Sequence, residues 1–565
     1  MPEVRRLSPT PDERRVLRRA MPWFRGHRIA WLLATVVSLA AAVAQVGGFA
    51  LLGVLTDAVL AGDRRRALAA VAGFAGLALT LWLLSWLSQY LVVRVGERVV
   101  RGLREQALER IAAAPLRFLE NHRSGDLLRR LTGEIAALSQ FVGVTLSGLV
   151  NGALLLVVTA VTVTLYSWLL ALCLALLAAG STMVLGRAFT RRASTTYALL
   201  AAAEADVSAT FSETIPARDQ LMVLGARRRR IRRFAADNQR LLDARIREVR
   251  TDRWLTGLGP AGGLAVVMLL ALAGLGTSQG WISVGGAVVF LFAARSAFSD
   301  IESLVADLGD LRAARTSLAR VLDLIEAAAP DPVGRAVTPQ PGGALTVEQV
   351  DFHYGDPSRP ALTDVSMAVR CGERVALAGP TGAGKSTLAK LLAGLYRPAS
   401  GRVAYGGVSL TDVEPAELRR HIVLVPQEVV LVPGTVADNL VMVPGLSLDE
   451  SGLARISAMA RRLGLAEWVA GLPDGLDTDV GDEGGRLSAG ERQLIALLRA
   501  ALTPAGVLVL DEATADVDPG TAARVEDALT RLTDDRAVVV VAHRPDTIAR
   551  ADRVIHVVAG RIGCG

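Results

Sequence analysis

Gly379-Pro380-Thr381-Gly382-Ala383-Gly384-Lys385-Ser386 reads as G-x-x-x-x-G-K-[ST]. It lies between a strand-like run at residues 374–378 and a helix-like run at 387–395. That placement, more than the letters, predicts a phosphate cradle. Glycines let backbone N–H groups approach phosphate oxygens, and the following helix N-terminus adds positive potential. Lys385 is then expected to reach the outer phosphates and Ser386 to ligate Mg2+. Gly379, Pro380, Thr381, Gly382, Ala383, Gly384 and Thr387 complete the expected nucleotide-binding set. Only two of the 62 Lys and Arg residues are lysine, Lys385 and Lys390. We read the arginine excess as base-composition bias and Lys385 as its informative exception. The loop fits a compact ammonium, not a planar guanidinium.

Upstream of the cradle the composition changes. Hydrophobic residues make up 51% of the 565, and the mean hydropathy is +0.38, both high for a soluble enzyme. A chain of this length holds two or more domains. Residues 29–56, 67–93, 135–186 and 255–294 carry no Asp, Glu, Lys or Arg. The last two runs are each long enough for two spans of roughly 20 residues. Tyr166-Ser167-Trp168 and Gly276-Thr277-Ser278-Gln279-Gly280 supply the breaks, giving six membrane helices, the sixth interrupted early by Arg295. Core helices of soluble proteins rarely stay uncharged over such lengths. The arginine-rich stretches 94–130 and 187–253 stay in the cytoplasm by the positive-inside rule, which puts both termini there. Arg64-Arg65-Arg66 falls in the first outer loop and disagrees with that rule. Gln45, Asn151 and Arg295 are polar candidates within or near spans.

The three cysteines, Cys173, Cys371 and Cys564, show no metal or disulfide spacing and fit a reducing face. The N-terminus lacks a small-residue cleavage site after a short apolar core, so no removable signal peptide is expected. The basic run at 227–233 has no interleaved aromatics and reads as a solvated helix face, not a nucleic-acid site. Prolines 330, 332, 339 and 341 mark a linker at residues 327–343. The chain therefore divides into a transmembrane domain at 1–326, the linker, and a nucleotide-binding domain at 344–565. After the linker, short apolar runs alternate with helix-like segments, as in an α/β P-loop domain. The fold class is a multidomain membrane protein: an all-α six-helix part followed by an α/β P-loop domain.

Further motifs narrow the chemistry. Val507-Leu508-Val509-Leu510-Asp511-Glu512 is an apolar strand ending in two acids. Asp511 suits Mg2+, directly or through water, and Glu512 suits a general base on the attacking water. Leu487-Ser488-Ala489-Gly490-Glu491 opens a helix-like run at 492–501. Alone it could be an ordinary capping box, with Ser488 as N-cap and Glu491 three residues on.

At its distance before Asp511 it says more. The region from about residue 344 onward resembles the ATPase domain of the ATP-binding cassette (ABC) transporters. Leu487 to Glu491 is similar to that family's LSGGQ signature, with Ala489 replacing a glycine and Glu491 the glutamine. The resemblance implies roles for Ser488 and Gly490 on nucleotide. It makes Gln427 the Q-loop residue that senses Mg2+ and contacts the membrane domain, and His543 the switch histidine at the γ-phosphate. Tyr354 becomes the aromatic residue that stacks on adenine, and Asp518 part of the D-loop, where Asp516 and Val517 depart from the commoner wording. Residues 478–485 and the stretch 118–132 resemble exporter-type segments, the latter the first cytoplasmic coupling loop. The stop at Gly565 comes soon after the last strand, where the family usually has another helix; the departure would weaken dimer contacts or reflect a shortened chain.

The resemblance implies ATP and Mg2+ as cofactors and a second half-transporter chain, identical or different, as partner. The signature of one ATPase domain caps ATP on the P-loop of the other, and hydrolysis lets them part. The implied activity is ATP-driven export of an amphipathic or hydrophobic lipid, drug or peptide across the cell membrane. Two alternatives stand beside it: a membrane-anchored regulatory ATPase without transport, and an importer of exporter-like fold.

Overall fold

The computed structural model describes residues 7, 16–122, 124–215, 217–256, 259–280, 282–330, 337–511, 517–533, 535–542 and 544–563. Its uncharged runs are helical, and helix length sets the architecture. After a short α1 (Val16–Arg25) come α2 (Arg28–Leu60), α3 (Arg64–Ala112), α4 (Leu116–Asn121) and α5 (Ser124–Arg129). α6 (Ile135–Gln140) and α7 (Ser147–Tyr166) continue α5 through two π-helical turns, Arg130–Glu134 and Phe141–Leu146. Then follow α8 (Trp168–Thr214), α9 (Arg218–Val223), α10 (Arg227–Thr256), α11 (Gly259–Ser278) and α12 (Val284–Ala327). Among the described residues four helical stretches are long and apolar enough to span: Arg28–Leu60, Arg64–Ala112, Gly125–Tyr166 and Val284–Ala327. α8 and α11 take the other two places expected. α3 has 49 residues, roughly 70 Å at 1.5 Å per residue, so it continues well beyond a hydrocarbon layer of about 30 Å.

The breaks fall where the sequence places them. Ser167 alone is extended, at φ −161°, between α7 and α8. Gly280, at φ +71°, follows α11. The stretch 118–132, similar to the first coupling loop, is mostly helical, as α4, α5 and the first π-helical turn. Arg64-Arg65-Arg66 forms the first turn of α3. Asp63 caps it, accepting the Arg65 and Arg66 amides at 3.1 Å and pairing with the Arg66 side chain at 3.2 Å. Asp63 thus engages two of the triplet's amides and one of its side chains locally.

Helix packing in this half relies on small and polar residues, as expected where lipid removes a hydrophobic drive between helices. Ser38, Ser88 and Asn151 link α2, α3 and α7: Ser38 and Ser88 hydroxyls lie 2.6 Å apart, and Ser88 donates to Asn151 Oδ1 at 3.0 Å. Asp57 near the end of α2 caps α12, accepting from Gly285 N at 2.7 Å and Ser283 Oγ at 2.8 Å. One turn away the two backbones nearly touch. A Cβ on Gly285 would come within 2.2 Å of Gly53 O, and one on Gly53 within 2.5 Å of Val289 Cγ2. Gly285→Ala is therefore expected to destabilise this half by about 1–3 kcal/mol, the usual cost of overpacking. Thermal unfolding in detergent would show a lowered midpoint for this variant, against no change for Gly76→Ala, whose Cβ meets open space.

Two sheets and their helices form the C-terminal half. β1 (Leu345–Phe352), β2 (Leu362–Val369), β4 (Ser400–Tyr405) and β5 (Val408–Ser409) make an antiparallel sheet in the order β2-β1-β4-β5. The second sheet contains β3 (Arg374–Ala378), β6 (Ile422–Val425), β7 (Val507–Asp511), β8 (Ala537–Val541), β9 (Arg553–Val558) and β10 (Arg561–Ile562). Its order is β10-β9-β3-β8-β7-β6, parallel from β9 to β6. β3, β7 and β8 are buried at every position, which is why they read as unbroken apolar runs. The helices are α13 (Lys385–Leu392), α14 (Pro415–His421), α15 (Val436–Leu440), α16 (Glu450–Leu463), α17 (Ala466–Ala470), α18 (Ala489–Leu502), α19 (Pro519–Thr533) and α20 (Pro545–Ala549).

One apolar core joins both sheets to α13; a second gathers α15 to α19 against the other face of the parallel sheet. A buried ion pair fixes α19 and α20 to β3: Arg374 donates to Glu526 at 2.5 Å, and Thr547 donates to the other Glu526 oxygen at 2.6 Å. The chain thus divides into two compact units. Leu7–Glu109 with Gly125–Glu326 form one, and Arg110–Ser124 with Ala327–Gly565 the other. The segment carrying α4 belongs to the C-terminal unit.

Candidate nucleotide site

Parallel strands of the second sheet carry several of the expected site residues at their C-terminal ends. β3 leads into the Gly379–Gly384 loop, β7 ends on Asp511, and Gln427 lies two residues past β6, exposed. β8 lies between β3 and β7, and His543 follows it in sequence. His543, Glu512 and Asp516 lie outside the described residues. This edge is the usual ligand position of a parallel α/β sheet.

Gly379 and Gly384 are there for backbone reasons. At φ +147° and +103° they occupy the region that favours glycine. A Cβ on Gly379 would meet Val557 O at 2.1 Å, and one on Gly384 would meet Ala361 O at 2.8 Å. Gly382, at φ +81°, faces open space. α13 begins at Lys385, whose ammonium donates to Gly379 O at 2.9 Å and Pro380 O at 3.0 Å. The residue is 5% exposed. Among the described residues those two neutral carbonyls are its hydrogen-bond partners, so the positive charge is available to an anion over the loop. This set fits a polyphosphate. Ser386 donates to Asp511 Oδ1 at 2.9 Å, which brings a hydroxyl and a carboxylate together as hard oxygen ligands suited to Mg2+. Thr387 is buried, and its hydroxyl lies 2.8 Å from the Tyr354 hydroxyl. That contact ties the half-exposed Tyr354 ring to the mouth of the loop.

The signature residues stand elsewhere, at the start of α18 in the second core. Ser488 caps α18 in a reciprocal box: its Oγ accepts the Glu491 amide at 3.2 Å, while Glu491 accepts Ser488 N and Oγ at 2.8 Å each. The Glu491 charge is thereby turned back onto its own helix N-terminus, where it is stabilised. Gly490 packs on the start of α19: a Cβ there would meet Thr521 Cγ2 at 2.7 Å. Asp518 caps α19, with Oδ1 accepting Thr521 N at 3.0 Å. The Thr521 hydroxyl and amide hold its carboxyl below the usual carboxylate range. Among the described residues no hydrogen bond links Ser488, Gly490 or Asp518 to the phosphate loop.

Sequence reading passed over three residues beside this site. Glu120 of α4 accepts from Lys390 Nζ at 2.8 Å and from the Tyr396 hydroxyl. Tyr396 packs against Tyr354 and Phe352. The available signal was Lys390 itself, the second of only two lysines in an arginine-rich chain.

Known proteins resemble this chain over both its helical half and its cassette. The family model for the ABC transporter matches residues 362–515, and that for the ABC transporter transmembrane region matches residues 31–299. An ATP-dependent lipid A-core flippase of Burkholderia pseudomallei is 32% identical over 559 residues, covering 97% of this chain and 92% of its own. A flippase of the same description from Chromobacterium violaceum is 29% identical over 492 residues, 86% of this chain and 83% of its own. A solved bacterial Atm1-family ABC exporter with ATP bound superposes with a TM-score of 0.80 at 26% identity, over 95% of each chain. Helical spans, phosphate loop and relatives thus agree: this chain belongs to the ABC transporters, as an exporter-type half-transporter embedded in the membrane whose cassette binds and hydrolyses ATP.

Proposed function

We propose that two such chains, identical or related, form an exporter that moves an amphipathic, lipid-like molecule. The description of the relatives as lipid A-core flippases carries the substrate class. The division is transmembrane domain at 1–326, linker at 327–343 and cassette at 344–565, with the cassette and both termini on the cytoplasmic side of the inner membrane.

In this reading Lys385 and the amides of Gly379 to Thr387 hold the phosphates, and Tyr354 stacks on adenine. Ser386, Asp511 and Gln427 hold Mg2+, which when bound neutralises charge developing on the phosphates. Glu512 takes the proton of the attacking water, and His543 contacts the γ-phosphate. Ser488, Gly490 and Asp518 serve the nucleotide of the partner chain, in keeping with their separation from their own phosphate loop. A second exposed feature supports pairing. Ile215, Met222, Val223 and Leu224 around α9 are 62–87% exposed. A cleft of about 200 Å3 lined by Val423, Val429, Val430, Met442 and Val443 offers an apolar seat for that tip from a second chain. Closing and parting of the cassettes then biases the helices between two states.

The test is reconstitution into sealed liposomes with the cassettes outward. A labelled lipid or amphipathic dye is expected to cross toward the lumen only with hydrolysable ATP. ATP turnover without movement of any probe would point to a regulatory ATPase, and movement outward to an importer.

A further inference from the structure

The contact between α4 and the aromatic cluster at the cassette's edge has a consequence for nucleotide affinity. Leu116 anchors α4 against the first core, and Glu120 lies on its last turn. The Glu120 carboxylate accepts two hydrogen bonds at once, from Lys390 Nζ at 2.8 Å and from the Tyr396 hydroxyl. Lys390 stands on α13, the helix that opens with Lys385. Tyr396 is 5% exposed. Its ring meets Tyr354 edge to face at 5.6 Å and 87°, and Phe352 at 5.0 Å. Phe352 closes the triangle against Tyr354 at 5.1 Å and 86°. Tyr354 is thus held behind by two rings and at its hydroxyl by Thr387, leaving its outer side open. Burial and the Glu120 carboxylate both push the Tyr396 phenol up, so it stays a donor throughout the physiological range. For Lys390, burial acts downward, but the Glu120 hydrogen bond and charge prevail and raise it.

We propose that Glu120 is a positioning residue for the nucleotide base. By holding Tyr396 and Lys390 it fixes the surface on which Tyr354 rests, so base affinity depends on a carboxylate supplied by the segment between α3 and α5. This rests on the assignment of Tyr354 to adenine made above. Linkage makes the effect reciprocal: a bound base stabilises the seat of α4 by the same factor.

The experiment titrates the full-length protein in lipid nanodiscs by calorimetry with ATP and, separately, inorganic tripolyphosphate, which has no base. Tyr354→Ala should weaken ATP about tenfold, the scale of one base–aromatic stack, and leave tripolyphosphate unchanged. Glu120→Ala should weaken ATP about fivefold with tripolyphosphate again unchanged. Glu120→Asp should recover part of the loss. Glu120→Ala combined with Tyr354→Ala should be no weaker than Tyr354→Ala alone, because both act through one ring. Equal weakening of both ligands by Glu120→Ala would make the contact merely structural and overturn the proposal. An effect of Tyr354→Ala with none from Glu120→Ala would leave the adenine assignment standing and remove Glu120. A loss of ATP preference with Glu120→Ala but not Tyr354→Ala would overturn the route through Tyr354 and the adenine assignment together.

Discussion

Glu512→Gln should slow steady-state ATP hydrolysis by about 10²–10⁴-fold, the range that a positioned general base contributes. Glutamine keeps the shape and the hydrogen-bonding reach but cannot accept the water's proton. ATP binding should survive, since Lys385, Ser386 and Tyr354 remain. The cassettes should then stay paired around unhydrolysed ATP, and crosslinking between chains should rise in the presence of ATP. Phosphate release at the wild-type rate would remove Glu512 from this role.

Lys385→Ala should fail earlier, at binding. The residue is 5% exposed and its ammonium is bonded to two neutral carbonyls among the described residues, so a phosphate is its natural counter-charge. Truncating one partner of a buried charged pair costs about 2–5 kcal/mol, a loss in ATP affinity of roughly 30- to several-thousand-fold. Lys385→Arg should not restore it, because the guanidinium is planar and bulkier than the compact ammonium that Gly379 O and Pro380 O hold. The two variants separate by calorimetry: Glu512→Gln keeps its ATP affinity and loses turnover, whereas Lys385→Ala loses affinity. Normal ATP affinity in Lys385→Ala would remove the lysine from the phosphate site.

These predictions draw on parts of the chain that were unequally legible. Residues 374–378 and 507–511 read as strands and are β3 and β7, because positions buried on both faces leave an unbroken apolar run. Ser167 and Gly280 read as breaks because charge-free helices need a local conformational reason to stop. The phosphate loop was legible because its constraints are local and fall within eight residues. The capping box at Ser488 and Glu491 was legible for the same reason. Contacts between distant segments were not. Glu120 meets Lys390 and Tyr396 across 270 and 276 positions, and Asp57 meets Gly285 across 228. No periodicity marks such a meeting. Gly490 was read as an approach to phosphate, and the structure adds a nearer reason, the start of α19. Asp63 likewise holds the Arg65 and Arg66 amides within one helical turn, a contact that a count of loop charge does not register.

The strand order carries a lesson for biosynthesis. β3 pairs on one side with β8 and on the other with β9, both encoded far downstream of it. As the polypeptide emerges, the segment bearing the phosphate loop therefore waits with both edges unpaired until residues 537–558 leave the ribosome. At 5–20 residues per second that delay is roughly 8–30 s. A message cut short before β8 would yield a product with an exposed apolar strand and no sheet to join, a natural target for chaperones and proteases.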